Sequence, residues 1–464
     1  MLEIIVYTIN LFFFAYMFLY AIVFFLTTIS AAFKLDDFFA KKEYMKDEIL
    51  TKDNNYIPIS IIVPAYNEEI TIVDTIHSLL NIDYPEFEIC IVNDGSTDNT
   101  AKALIDAFEL KEVVRPIYKQ VPCQDAISVY ENYDKVRIIL VNKKNGGKAD
   151  ALNMGINVSR LPLFLCIDAD SLLQRDSLKK IVVPFLEYGD TIAVGGNVKV
   201  SNGVLIENGE VKNVRMPKKF IAKIQLVEYL RVFLTSRVSF NSFNANLIVS
   251  GAFGMYDKKA VIRVGGYNID TVGEDMELIV KLHAFYQKNK KKYHISYVPD
   301  AICWTQVPEK YKILKNQRKR WHTGLEQTLK TYKFMFLNPS YGKVGLITYP
   351  YFVLFEYITP FLEIFGTLNI LFAYLIGVIN IHFFLLYLLV YMGFNTVVSF
   401  VAVLLEKNLF KDTLTVSMVI RLLFICILEN FGYRQLCSWF RVLSMFNKSG
   451  NKWGKMERIK NRKS

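Results

Sequence analysis

Apolar residues follow three regimes along the chain. Residues 4–33 form an almost uncharged run, and most of residues 344–405 is equally apolar. A bilayer is crossed by about 20 apolar residues, so both regions are long enough to span one. Between them, short apolar runs alternate with stretches of helical period. Residues 57–64 read as a buried strand, 69–80 as a helix, 87–92 as a second strand and 97–110 as a helix. Residues 136–141 make a third strand, 147–158 a helix, and 161–167 an apolar run that stops abruptly at Asp168. Residues 111–134, with Pro116 and Pro122 among polar clusters, read as an irregular surface insertion. Strands alternating with helices at this spacing predict a mostly parallel sheet of βαβ units. Further on come a helix (176–187), a strand (191–200), a hairpin turn at Asn208-Gly209, and a helical stretch (218–240). Then follow a strand (249–256) holding Gly251 and Gly254, a helix (274–287), a last strand (295–304) and a long basic helical pattern (308–336).

The C-terminal apolar region is less regular. Residues 344–379 are too long for one span, and Pro350, Glu356, Pro360 and Glu363 interrupt their first half. The pattern predicts an interfacial or broken helix, a span at 361–379 and a second span at 382–405. Residues 413–446 are apolar but carry Arg421, Glu429, Arg434 and Arg441. Intramembrane charge is costly and faces a cavity, so this is either a polar-lined span or an interfacial helix.

Net charge is +11 over 464 residues, and the basic residues gather beside the apolar segments. Lys34, Lys41, Lys42 and Lys46 follow the first, and residues 448–463 form a basic tail. By the positive-inside rule the central domain and C-terminus are cytosolic and the N-terminus is outside. That requires two or four crossings after the central domain. The first segment is too long for a signal-peptide core and lacks a basic start, so it reads as a retained helix. No nucleic-acid motif accompanies the charge, which excludes that class. The six cysteines show neither CxxC nor zinc spacing, as suits a reducing compartment. The histidines form no HExxH pattern, and His283 reads as structural.

Candidate chemistry sits where apolar runs end. Asp168-Ala169-Asp170 puts two carboxylates one residue apart at a strand end, where open α/β sheets bind ligands. They repel unless a cation lies between them, and Mg²⁺ commonly bridges one or two carboxylates to substrate phosphates. A polar turn would use the same residue types. Pro64-Ala-Tyr66-Asn-Glu68-Glu69 ends the first strand and Asn93-Asp94-Gly95-Ser96 the second. Asn145-Gly-Gly-Lys148 opens a helix. Ser250-Gly251 begins Ser-Gly-Ala-Phe-Gly, Gly273-Glu274-Asp275 opens another helix, and Gln317-Arg-Lys-Arg320-Trp321 lies on the late basic helix. Each alone passes for a turn, a cap or an interfacial helix. In this order and at strand ends they are specific.

The set resembles the processive glycosyltransferases of family 2, which include cellulose, hyaluronan, chitin-type and poly-N-acetylglucosamine synthases. The resemblance covers roughly residues 55–340. It implies an α/β fold, a cytosolic GT-A (Rossmann-like) domain inserted between transmembrane or interfacial helices. The segments expected are 1–33 (transmembrane helix), 34–56 (juxtamembrane linker), 57–306 (GT-A domain), 307–343 (QxxRW region), 344–446 (membrane helices) and 447–464 (basic cytosolic tail). It implies a UDP-sugar donor, a divalent cation (Mg²⁺ or Mn²⁺), a growing polysaccharide as acceptor, and polymer passage through the plasma membrane. Tyr66, Glu68, Asp94, Lys148, Asp168, Asp170, Gln317 and Arg320 match donor-binding positions, with Asp170 and Asp168 at the metal. Asp275 matches the general base. Ser250, Gly251, Glu274 and Trp321 match the acceptor side.

The chemistry agrees with this division. Inverting transfer needs a base for the acceptor hydroxyl, and a carboxylate at a helix N-terminus can serve. The leaving UDP develops charge that a metal and cationic side chains stabilise. An indole offers a sugar ring a flat apolar face. Gly273 replaces the threonine that many family members carry, which leaves the subfamily open. The layout looks like poly-N-acetylglucosamine synthases, with glucan synthases close behind. A non-processive enzyme acting on a lipid or lipid phosphate would share the aspartates but typically lacks Gln317–Trp321. An inactive domain would not keep Asp94, Asp168, Asp170, Asp275 and Trp321. Need for an accessory membrane subunit is left open.

Overall fold

The computed structural model describes residues 2–44, 56–207, 209–377, 381–410 and 414–446. The basic tail, Lys46, Asn208, Lys411 and most of the expected linker's second half lie outside them.

The chain begins with α1 (Leu2–Tyr44), which does not stop at residue 33. No glycine or proline interrupts residues 34–44, and Asp37 and Lys41 pair one turn apart at 2.9 Å. A helix of 43 residues is about 65 Å long, roughly twice the apolar thickness of a bilayer. Its C-terminal part docks on the sheet domain, where Ala31 and Leu35 are buried in the core. Lys42 pairs there with Asp300. The first eleven residues of the expected linker are therefore a rigid continuation of the span.

The sheet domain follows: β1 (Ile59–Ala65), α2 (Ile72–Leu80), β2 (Phe87–Asp94), α3 (Thr100–Phe108), β3 (Lys111–Val113), β4 (Ala126–Tyr133), β5 (Arg137–Lys143), α4 (Lys148–Val158), β6 (Leu163–Ile167) and β7 (Leu172–Leu173). Two short helices, α5 (Ser177–Ile181) and α6 (Val183–Glu187), lead into β8 (Thr191–Val200). The hairpin strands β9 (Val204–Glu207) and β10 (Glu210–Val214) pair with each other. Next come α7 (Phe220–Arg231), a π-helical turn, α8 (Arg237–Asn241), β11 (Phe253–Asp257), α9 (Lys258–Arg263), α10 (Glu274–Lys288), β12 (His294–Thr305) and α11 (Tyr311–Thr331).

The main sheet runs β3-β4-β5-β2-β1-β6-β11-β8-β12-β7. Its centre, β5-β2-β1-β6, is parallel. The order reverses at β1, because β2 lies on one side of it and β6 on the other. That switch point is where α/β sheets leave a crevice beyond their strand ends. β1, β2 and β6 are buried on both faces, as a sheet covered by helices requires, and the polar side chains inside β1 and β2, Ser60 and Glu88, bond each other at 2.7 Å.

The stretch 111–134 is irregular, as expected, only over residues 114–125. It contributes β3 and β4, which extend the sheet antiparallel to β5. β4 is a half-buried strand near the sheet edge, with only Val129 fully buried, so its apolar signal is weak. Residues 249–252 are a turn rather than strand, closed by Phe253 N–H donating to Ser250 O at 3.0 Å. The basic stretch 308–336 contains one helix, α11, followed by a short 3₁₀ turn.

Past α11 the chain forms α12 (Val344–Leu375), which is continuous rather than broken. Pro350 and Pro360 are absorbed by π-helical turns at Val344–Thr348 and Phe352–Ile358. α13 (Ile381–Leu409) follows, then α14 (Val416–Leu428) and α15 (Tyr433–Phe446), which meet at 57°. Among the described residues three helices are long and apolar enough to cross a membrane, and the bent pair makes a fourth if it counts as one span. The charges of 413–446 separate accordingly. Arg421 is exposed. Glu429 is buried and pairs with Arg231 at 2.5 Å, and Arg434 lies 3.7 Å from Glu429 and 3.9 Å from Glu363. Arg231 belongs to α7 of the sheet domain, so an ion pair joins that domain to the C-terminal apolar helices.

Candidate active site

The parallel strands β1, β2, β5 and β6 end together, and their last residues open onto one crevice. Tyr66 is half-buried just beyond β1. Glu68 is buried and accepts the Thr71 hydroxyl at 2.9 Å, while its N–H donates to Thr100 Oγ1 at 2.9 Å. Both therefore sit on a braced loop between β1 and α2.

Asp94 ends β2 and is almost wholly buried. Its Oδ1 accepts from Lys143 and from Gly146 N–H at 3.0 Å, and its Oδ2 from Gly147 N–H at 2.8 Å. Lys143, at the end of β5, is completely buried between Asp94 and Asp150, the latter at 2.6 Å. The carboxylate thus folds the 145–147 loop around itself, and that loop launches α4 at Lys148.

Lys148 enters the crevice between carboxylates. Its Nζ pairs with Asp168, lies 3.7 Å from Glu274 and reaches Gly251 O at 3.4 Å. Burial alone would favour the neutral amine, but Asp168 and Glu274 override it and hold the ammonium. The Glu274 carboxyl is pushed up by burial, against the pull of Lys148 and with Asp275 adding to the rise. Arg320 acts on the same carboxyl from α11.

Asp275, in the first turn of α10, is held by two backbone donors. Gly251 N–H gives to Oδ2 at 3.0 Å and Met276 N–H to Oδ1 at 2.8 Å. Gly251 packs closely on both groups: a Cβ there would lie 3.3 Å from both Asp275 Oδ2 and Lys148 Nζ, so either side chain would have to give way. Ser250-Gly251 therefore contributes backbone, donating to the carboxylate and accepting from the lysine.

The same kind of contact explains Gly273. A Cβ on Gly273 would sit 2.8 Å from Gly324 Cα, and one on Gly324 would sit 2.7 Å from Gly273 Cα. The start of α10 and the middle of α11 touch backbone to backbone. Gln327 Oε1 locks the contact by accepting from Val272 N–H at 3.0 Å. Threonine at 273 would push α11 away, so glycine here follows from this helix docking. On α11, Gln317 is buried with its Oε1 unpartnered, Arg320 is half-buried, and Trp321 is 40% exposed.

Asp168 and Asp170 follow β6 directly, and both are half-buried. No group of three or more His, Cys, Asp or Glu side chains among the described residues is arranged to hold a metal. The two carboxylates fit a hard cation that takes the rest of its shell from substrate phosphates and water. The residues that sequence reasoning missed are Lys143, Asp150 and Gly324. Lys143 lies in Lys-Lys-Asn-Gly-Gly-Lys with nothing in that run to set it apart, and only its place at the end of a buried strand marks it.

A mixed sheet with a parallel centre, a carboxylate pair at the switch point and a second carboxylate pair on a helix N-terminus define a GT-A glycosyltransferase. The mannosyltransferase PcManGT from Pyrobaculum calidifontis, solved with GDP-Man and Mn²⁺, has this fold: TM-score 0.51 at 18% identity, over 90% of this chain and 99% of that one. The family model for glycosyl transferase family 2 matches residues 60–265, and that for glycosyl transferase family group 2 matches residues 163–405. A poly-beta-1,6-N-acetyl-D-glucosamine synthase of Staphylococcus epidermidis is 31% identical over 327 residues, 68% of this chain and 69% of the relative. One of Staphylococcus aureus is 31% identical over 304 residues, 64% of this chain and 63% of the relative. The chain belongs to glycosyltransferase family 2 and is a glycosyltransferase, with three helices among the described residues long and apolar enough to cross a membrane.

Proposed function

We propose that this enzyme is a processive, inverting polysaccharide synthase that draws on a UDP-sugar and passes its β-linked product through its own membrane helices. N-acetylglucosamine is the preferred sugar, on the likeness to the staphylococcal synthases, with glucose second. The observation that carries the reading is the convergence at Gly251, where one residue's backbone holds both Asp275 and Lys148.

In this mechanism Asp275 Oδ takes the proton of the acceptor hydroxyl. The acceptor oxygen forms its bond to the anomeric carbon as the bond from that carbon to the UDP oxygen breaks, from the opposite face. The two N–H donors fix the carboxylate's orientation and leave lone pairs for the incoming hydroxyl. Lys148 and Arg320 offer cationic charge to the diphosphate, and Asp94 with Lys143 holds the loop bordering the nucleotide. Tyr66 and Glu68 border the base, Gln317 lies with Arg320 on the donor side, and Trp321 borders the acceptor. A divalent cation on Asp168 and Asp170 would neutralise the leaving diphosphate. The catalytic domain faces the cytosol, the chain crosses the membrane several times, and the C-terminus returns to the cytosolic side.

The test is label incorporation by purified protein in vesicles, with UDP-N-acetylglucosamine and UDP-glucose offered separately. Polymer from the first, abolished by EDTA and restored by Mn²⁺ or Mg²⁺, supports the reading. A single sugar on a lipid, or activity indifferent to chelation, overturns it.

A further inference from the structure

Arg318 stands inside the Gln317–Trp321 motif at a position with no assigned role. It points into the protein and is 6% exposed at its side chain. Its Nη2 donates to Glu228 Oε2 of α7 at 2.6 Å, and the same oxygen accepts the Tyr433 hydroxyl of α15 at 3.0 Å. Its guanidinium carbon lies 4.7 Å from the centre of the Trp321 ring. One guanidinium therefore ties α11 to α7, where Glu228 also meets α15, and backs the exposed Trp321 indole. An exposed tryptophan without such support samples several rotamers. A planar cation fixed by a half-buried carboxylate selects one and leaves the ring ready for a sugar.

We propose that Arg318 is the positioning residue for Trp321, with Glu228 and Tyr433 setting its own orientation, so that acceptor grip is tied to the α14–α15 pair. One turn along α7, Arg231 bonds Glu429 and Ser399, each at 2.5 Å. The same helix thus touches the bent pair on both sides of its break, at Glu429 and at Tyr433. The proposal rests on reading Trp321 as the acceptor platform.

Arg318→Lys keeps the charge and loses the planar stack, and Tyr433→Phe removes one hydroxyl. Two readouts separate the possibilities. Acrylamide quenching of Trp321 fluorescence, taken as the difference from Trp321→Phe, needs no product. It should rise about twofold or more in both variants, since a cation–π contact of this kind restrains the ring. Unchanged quenching overturns the proposal whatever the enzyme makes. Product length at saturating donor should fall in both variants, with donor KM unchanged, and should fall no further when Arg318→Lys is added to Trp321→Ala. Independent shortening in that background, or a rise in donor KM alone, overturns the proposal. If Trp321→Ala leaves product length unchanged, the acceptor reading fails and takes the proposal with it.

Discussion

Asp275→Asn separates the charge of the proposed base from its position. Both carboxylate oxygens accept a backbone N–H, from Gly251 at 3.0 Å and from Met276 at 2.8 Å. Asparagine offers one acceptor oxygen, so one of these bonds is kept and the other faces an amide N–H. The local cost is one hydrogen bond to a charged group, roughly 1.5–3 kcal/mol, plus the lost helix-dipole contact of about 0.3–1 kcal/mol. The catalytic cost is larger. With no proton acceptor, kcat should fall about 10²–10⁴-fold, or roughly 2.7–5.5 kcal/mol in barrier. Asp275 also raises the Glu274 pKa, so its neutralisation leaves Glu274 more firmly ionised beside Lys148. Donor affinity should therefore hold to within about threefold. Labelled-polymer synthesis at saturating donor and calorimetric UDP binding measure the two quantities on one preparation. Polymer at near wild-type rate would refute Asp275 as the base. Equal loss of UDP binding and rate would place the residue on the donor side.

Three further outcomes are expected. Lys148→Met leaves Asp168 and Glu274 facing each other without their shared cation, and donor KM should rise roughly tenfold or more, the worth of one charge-assisted contact; an unchanged KM would remove Lys148 from the donor site. Gly273→Thr should cost most of the activity while circular dichroism stays native, because its Cβ meets Gly324 Cα at 2.8 Å; a fully active variant would contradict the docking of α11 on α10. His283 is buried against Tyr293 and Asn246, and burial pushes its imidazole down to about 4. A histidine pKa lower in the folded than in the unfolded chain makes stability fall as pH drops from about 6.5 to about 4, by about 3 kcal/mol in all. His283→Gln should flatten that dependence in melting curves between pH 7 and 4.5, and parallel curves would contradict it.

How much of this was legible in the chain depended on burial. β1, β2 and β6 are buried on both faces, so their runs are apolar but for Ser60 and Glu88, and their ends fall where polar motifs begin. The crevice followed, because the motifs mark strand ends. β4 is buried at one residue only, and prolines upstream of it suggest a loop. Helix ends were misread where charge marked a membrane boundary instead: residues 34–44 are polar, yet Lys42 finds Asp300 and the helix continues. Pro350 and Pro360 signal breaks in isolation, but π-helical turns accommodate them. The partners of Asp94 were hidden for another reason. Lys143 and Asp150 are ordinary residue types, and only the fold buries them together. The contact of Gly273 with Gly324 joins positions 51 residues apart in sequence, which no local pattern carries.

The most direct measurement is the product-length distribution in vesicles at low conversion of UDP-N-acetylglucosamine. A processive synthase gives full-length chains beside unused donor from the earliest time points, with Trp321→Ala shifting the distribution to short products. A distribution that lengthens uniformly with time, or stops at a single added sugar, would contradict processive synthesis.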